Sequence, residues 1–155
     1  MSGRHFLSSL LMIFLLSTNV FSEEKTTELK GPIIITSEML TADNKTHTAL
    51  FEKSVVARSP EMILHAERML VYYDGDTGNV TKIEASGSVR LIKGDRIITS
   101  NEAVYFAKED KAIFVGEPRA IERENVVTGR KMTYFLKEDR FLVEGSKVFI
   151  SKKSQ

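Results

Sequence analysis

From Gly31 onward, apolar and polar residues alternate with a period of two. The alternating runs are short, rich in β-branched and aromatic residues, and separated by polar turn clusters about every dozen residues. Helical periodicity is nearly absent, so the pattern predicts an all-β chain. The runs also repeat. Gly87, Gly116 and Gly145 stand at intervals of 29, each inside an alternating segment: Ile83-Glu84-Ala85-Ser86-Gly87-Ser88-Val89, Ala112-Ile113-Phe114-Val115-Gly116-Glu117-Pro118 and Phe141-Leu142-Val143-Glu144-Gly145-Ser146-Lys147. Ala49-Leu50-Phe51-Glu52-Lys53-Ser54-Val55 is the same phrase with Lys53 in the glycine position, 34 residues before Gly87. A second phrase carries a small residue, Ser37, Ala66, Ser100 or Gly129, which precedes the glycine position by 16, 21, 16 and 16 residues in turn. The five extra residues fall at Asp74-Gly75-Asp76-Thr77-Gly78, a turn cluster where insertion costs little. This pattern predicts four hairpin repeats of about 30 residues, with eight long strands in an up-and-down meander.

Strand parity assigns the faces. Two and four residues either side of the glycine position stand Ala49, Phe51, Val55 and Ala57, then Ile83, Ala85, Val89 and Leu91. The third copy gives Ala112, Phe114, Pro118 and Ala120, and the fourth Phe141, Val143, Lys147 and Phe149. Glu52, Ser54, Glu84, Ser86, Ser88, Arg90, Glu117, Arg119, Glu144 and Ser146 fall between them, so one face is apolar and Lys147 is its exception. In the small-residue strands the phase shifts. Ile35, Leu64, Ile98 and Val127 lie two before the small residue, whereas Leu40, Met69, Ala103 and Met132 lie three after it. An odd step predicts a β-bulge or corner in those strands. Four in register would crease the sheet into a V or flattened tube around a continuous apolar interior.

The first 22 residues differ in kind. Arg4 and His5 precede an 11-residue apolar run from Phe6 to Leu16, and small residues lead to Ser22 ahead of Glu23-Glu24. That is the layout of a secretory signal cleaved after Ser22, followed by a flexible arm over 23–32, a β domain over 33–150 and a polar tail over 151–155. The run is short for a membrane-spanning helix, which needs about 20 apolar residues. Removing residues 1–22 takes away Arg4 and no acid, leaving 21 cations and 21 anions among 133 residues. A balanced charge argues against a nucleic-acid partner. There is no cysteine, which excludes disulfides, thiol catalysis and Cys-ligated metals.

The repeated phrases resemble the LptA/OstA family of periplasmic lipopolysaccharide transport proteins. The resemblance rests on small-acidic pairs, Ser37-Glu38 and Ala66-Glu67 with Ser100-Asn101 a partial match. It rests also on Ala49-x-Phe51 with Val55, Gly87-Ser88-Val89, Ala112-x-Phe114-x-Gly116 and Gly145-Ser146-Lys147-Val148. It covers about Ile33 to Ile150, with departures at Lys53, Gly129-Arg130, Pro118 and Lys147. The resemblance implies a folded antiparallel β-jelly roll and a non-enzymatic periplasmic carrier without cofactor. Its cargo would be lipopolysaccharide, with LptC-like and LptD-like jelly-roll partners bridging the inner and outer membranes. Each CH₂ removed from water is worth roughly 0.8 kcal/mol, so shielding one acyl chain of about a dozen carbons is worth on the order of 10 kcal/mol. The expected lipid-facing residues are Ile35, Phe51, Val55, Leu64, Val89, Leu91, Ile98, Phe114, Val127 and Phe149.

An open meander also has two edges with unpaired N–H and C=O groups. Here they carry Ile33, Ile34 and Ile35 at the start and Val148, Phe149 and Ile150 at the end, which predicts head-to-tail self-association. Two other readings stay open: an LptC-like protein that keeps residues 6–21 as an inner-membrane anchor, and a structural β-solenoid that polymerises without cargo. The remaining signals favour plain explanations. Asp74 to Asn79 begins like a calcium loop, but its glycine is misplaced and Ala85 stands where the last ligand belongs. His47 and His65 lack a companion at ligand spacing, and no nucleophile or phosphate-loop motif is present. Arg58, Lys93, Arg96, Arg119 and Arg123 gather near strand ends, where solvated charge that blunts edges is the simpler explanation than a headgroup site.

Overall fold

The computed structural model describes residues 32–151, and the signal-like segment lies outside them. Twelve antiparallel strands form a single sheet: β1 (Ile34–Thr36), β2 (Met39–Asp43), β3 (Thr48–Arg58), β4 (Ile63–Tyr73), β5 (Val80–Lys93), β6 (Arg96–Phe106), β7 (Lys111–Val115), β8 (Arg119–Glu122), β9 (Asn125–Thr128), β10 (Lys131–Phe135), β11 (Arg140–Glu144) and β12 (Lys147–Phe149). Each strand pairs with its neighbour along the meander. β1 and β2 both lie on β3, β7 and β8 both on β6, β10 and β9 on β7 and β8, and β11 and β12 on β10 and β9. Twelve strands replace the predicted eight because the outer paths are interrupted where the sheet turns over, whereas β3 to β6 run through the turn unbroken. The crease divides the sheet in two. Half I holds β1, β8, β9 and β12 with the stretches 55–58, 63–66, 89–93 and 96–100. Half II holds β2, β7, β10 and β11 with 48–52, 68–73, 80–86 and 102–106.

The crease has a local cause, and it corrects the expected position of the bulge. The extra residue sits in the glycine strands. Between the pairs Glu52↔Arg68 and Val55↔Ala66, Lys53 and Ser54 face Glu67 alone. Between Ser86↔Glu102 and Val89↔Ser100, Gly87 and Ser88 face Asn101 alone. Lys53, Ser54, Gly87, Ser88, Gly116 and Glu117 all have φ between 48° and 80°, so each of these bends is two consecutive left-handed residues. The opposite residue, second in the small-acidic pair, lies over the bend. A Cβ on Gly87 would come within 2.6 Å of the Glu67 carboxylate, and one on Gly116 within 2.6 Å of Asn101 Cβ. The acids also accept from the bend: Ser54 Oγ donates to Glu38 and Ser88 Oγ to Glu67, each at 3.5 Å. Hence the glycine and the small-acidic pair recur together.

Lys53 takes the bend at φ 64° without glycine's freedom. A left-handed residue with a Cβ costs about 1 kcal/mol. Lys53→Gly is expected to raise stability by about that amount, read as a rise of a few degrees in the thermal midpoint. An unchanged or lower midpoint would contradict this origin of the crease.

Parity places the core as expected in the central strands. Val55, Ala57, Ala66, Met69, Val71, Ile83, Ala85, Val89, Leu91, Ile98 and Ala103 are buried between the halves, joined by Ala112, Phe114, Met132 and Tyr134. The outer surface of half II is stabilised differently. Tyr72, Lys82, Phe106, Lys111, Phe135 and Arg140 follow one another across six strands in register. Cations lie over the rings, Lys82 at 4.1 Å from Tyr72 and Arg140 at 4.0 Å from Phe135. The calcium-like loop is a turn closed on itself, with Asp74 Oδ1 accepting from the N–H groups of Asp76 and Thr77.

Candidate functional site

The two halves enclose an apolar interior that runs along the crease and opens opposite it. One pocket lies between Ala57, Met62 and Leu64 on one side and Ile83, Tyr105 and Leu136 on the other. Its exposed wall is almost wholly carbon. Of the residues expected to face this interior, Leu64, Leu91 and Phe114 line the pocket. Val55, Val89 and Ile98 are buried in the packed core on either side. Ile35, Phe51 and Val127 are half-buried against it.

Phe149 departs from the expectation. Val148 is the register partner of Val127, which packs on the core, so Val148 faces inward while Lys147 and Phe149 face outward. The reason is the fourth bend: Gly145 alone is left-handed there, and the step from inward Val143 to inward Val148 is odd. Lys147 is therefore no exception to an apolar interior. It stands outside, with its ammonium 5.0 Å from the Phe149 ring.

At the mouth, beyond the pocket, the walls are joined by polar groups that the sequence reading left among solvated turn charges. Lys93 Nζ donates to Tyr134 Oη at 2.9 Å, and Tyr134 Oη donates to Asp139 Oδ1 at 2.7 Å. Arg96 donates to the same oxygen at 2.7 Å and to Glu122 at 3.2 Å. Its side chain is only 17% exposed because Phe141 and Tyr134 lie beside it, their rings stacked on each other 4.3 Å apart. The hydrogen bonds from Tyr134 and Arg96 hold the Asp139 carboxyl below its ordinary range. Parity contained the signal. Lys93 follows Leu91 and Arg96 precedes Ile98 by even steps, which turns both inward. The other cations of that group differ: Arg58 and Arg119 are exposed, and Arg123 meets Asp95 at 3.6 Å in solvent.

Residues 34–140 match the family described as LptA/(LptD N-terminal domain) LPS transport protein. The chain belongs to that family. Among curated relatives of the LptA/LptD N-terminal family it is 36% identical over 73 residues to the LPS-assembly protein LptD of Coxiella burnetii, a match covering 47% of this chain and 8% of that protein. Among solved structures it superposes on LptH, the LptA homologous periplasmic component of the lipopolysaccharide transport device of Pseudomonas aeruginosa. The TM-score is 0.73 at 13% identity, covering 81% of this chain and 99% of the other. The all-β jelly roll of the LptA/LptD N-terminal family is thus the fold of this protein.

In this LptA/LptD N-terminal domain the large exposed apolar side chains gather at the two margins of the sheet. Ile34, Met39 and Leu40 lie on β1 and β2, and Leu142, Val148, Phe149 and Ile150 on or beside β11 and β12, all between 49% and 75% exposed. Among the described residues both margins present unpaired backbone groups, since there β1 and β2 bond only to β3, and β11 and β12 only to β10 and β9.

Proposed function

We propose that the protein is a periplasmic carrier in lipopolysaccharide transport, which shelters acyl chains between the two halves of its folded sheet and passes them along a series of like folds joined edge to edge. The observation that supports this reading best is the carbon-lined pocket opening sideways between the halves, in a domain whose two sheet margins are apolar and unpaired. Family membership points to the same transport system. Because the chain spans only 8% of the LptD relative, a bridging role between membranes belongs to this proposal and not to that protein's name. Cleavage after Ser22 would free the domain into the periplasm. Retention of residues 6–21 would make it an anchored component of the same system.

Photo-crosslinking tests the carriage. A crosslinking residue at Leu64 or Phe114 is expected to capture lipopolysaccharide in cells, whereas one at Glu52 or Glu117, on the opposite face, is not. Equal capture from both pairs of sites would refute the interior as the binding surface. The N-terminal sequence of the exported protein separates carrier from anchor: Glu23 for the first, the initiating Met1 for the second.

A further inference from the structure

A trough for acyl chains is expected to show carbon at its rim, yet Lys93 and Arg96 both turn inward there. They are also register partners, two like charges directly opposite across the Gly94-Asp95 turn. Such a pair is destabilising unless other groups compensate it. Compensation comes largely from the facing wall. Tyr134 and Asp139 of half II meet both cations within 2.9 Å, and the chain of contacts Lys93–Tyr134–Asp139–Arg96–Glu122 joins the β5–β6 turn to the β10–β11 turn across the mouth. Among the described residues, the mouth has no such join a few residues away. There Met62 and Leu64 face Tyr105 and Leu136 across the pocket, and the Tyr105 hydroxyl donates to Asp110 on its own wall at 3.0 Å.

We propose that the Lys93–Tyr134–Asp139–Arg96 network is a clasp that gates the slot, leaving it open beside the pocket and shut between the pocket and the C-terminal margin. The inference rests on the carrier reading and specifies how that site is regulated. Leu136 borders the pocket, and Tyr134 and Asp139 flank Leu136, so the clasp stands immediately beyond the pocket. An apolar chain seated in the pocket moves toward β9 and β12 only when Arg96 parts from Asp139. Three features suit the network to gating. The Asp139 side chain is 59% exposed and sits on a turn, so one side of the clasp can swing outward without disturbing a strand. The guanidinium is also held by Glu122 and by the stacked rings, so it stays in place when the aspartate leaves. An ion pair with one exposed partner contributes little stability, so opening is inexpensive.

The test uses the full exported domain and the neutral fluorophore N-phenyl-1-naphthylamine, whose entry and release are followed by stopped-flow fluorescence. Arg96→Gln and Asp139→Asn are each expected to speed release about threefold, equivalent to about 0.65 kcal/mol of barrier. The double variant should be no faster than either single one, because both remove the same contact. Arg96→Lys keeps the charge, loses the two-pronged geometry and is expected to fall between. Arg123→Gln, which breaks the exposed pair with Asp95 on the same rim, should leave the rates alone. Binding of the probe with unchanged rates in both single variants, or effects that multiply in the double variant, would overturn the clasp while leaving the carrier reading intact. Failure of the parent domain to bind the probe would overturn the carrier reading, and the gate with it.

Discussion

Phe114→Asp is expected to give no folded domain at 25 °C, whereas Phe114→Ala is expected to fold with its stability lowered by about 3–5 kcal/mol. Phe114 is 1% exposed, packed among Ala103, Met132 and Leu91 at the floor of the pocket. Among the described residues the buried cluster around Phe114 offers a carboxylate no cation, and the hydroxyls of Tyr134 and Ser100 already donate to Asp139 and to the Glu102 carbonyl. Burying an unpaired charge costs several kcal/mol beyond the lost ring, against a total stability of about 5–15 kcal/mol for a domain of this kind. The alanine variant makes the experiment informative about the site, because its cavity adjoins the pocket and enlarges it. Urea unfolding followed by far-UV circular dichroism measures the stability, the chain having no tryptophan to report it. A folded and stable Phe114→Asp would mean that this wall of the interior is wet.

The second large effect concerns association. The parent domain is expected to form a concentration-dependent series of head-to-tail oligomers, and lysine placed at either margin is expected to stop it. Charge on an exposed edge strand opposes pairing with another edge. Ile34→Lys blocks the first margin, and Phe149→Lys with Ile150→Lys the last. These side chains are 53–75% exposed, so the fold itself should change by less than about 0.5 kcal/mol. Each variant alone is expected to sediment as a monomer, and an equimolar mixture of the two as a dimer with one intact junction. That outcome is specific to a heterologous contact, because a contact of each margin with its own kind would leave either variant able to dimerise alone. Assembly of both variants as long as that of the parent would remove the edge model.

The period of two announced strands, the 29-residue spacing of Gly87, Gly116 and Gly145 announced repeats, and the odd step after Ser37, Ala66, Ser100 and Gly129 announced that the sheet bends, though in the neighbouring strand. Inward positions such as Ile83, Ala85, Val89 and Leu91 followed from counting parity, because alternation is a property of each extended strand alone. Family membership was legible for the same reason: the glycine bend and the small-acidic pair are a local device, two left-handed residues under one side chain.

Which strand carries the extra residue depends on how neighbouring strands pair. Step lengths of four in one strand and three in its neighbour look alike until the register is known, and register is a relation between strands. It also decided the fourth copy, where a single left-handed glycine reverses the parity and moves Phe149 outside and Val148 inside. The partners of Lys93 and Arg96 lie 41 and 43 residues further along, in the opposite wall, and no local pattern brings them together. A strand's own residues fix which way a side chain points, but what it meets there is set by how the sheet folds over.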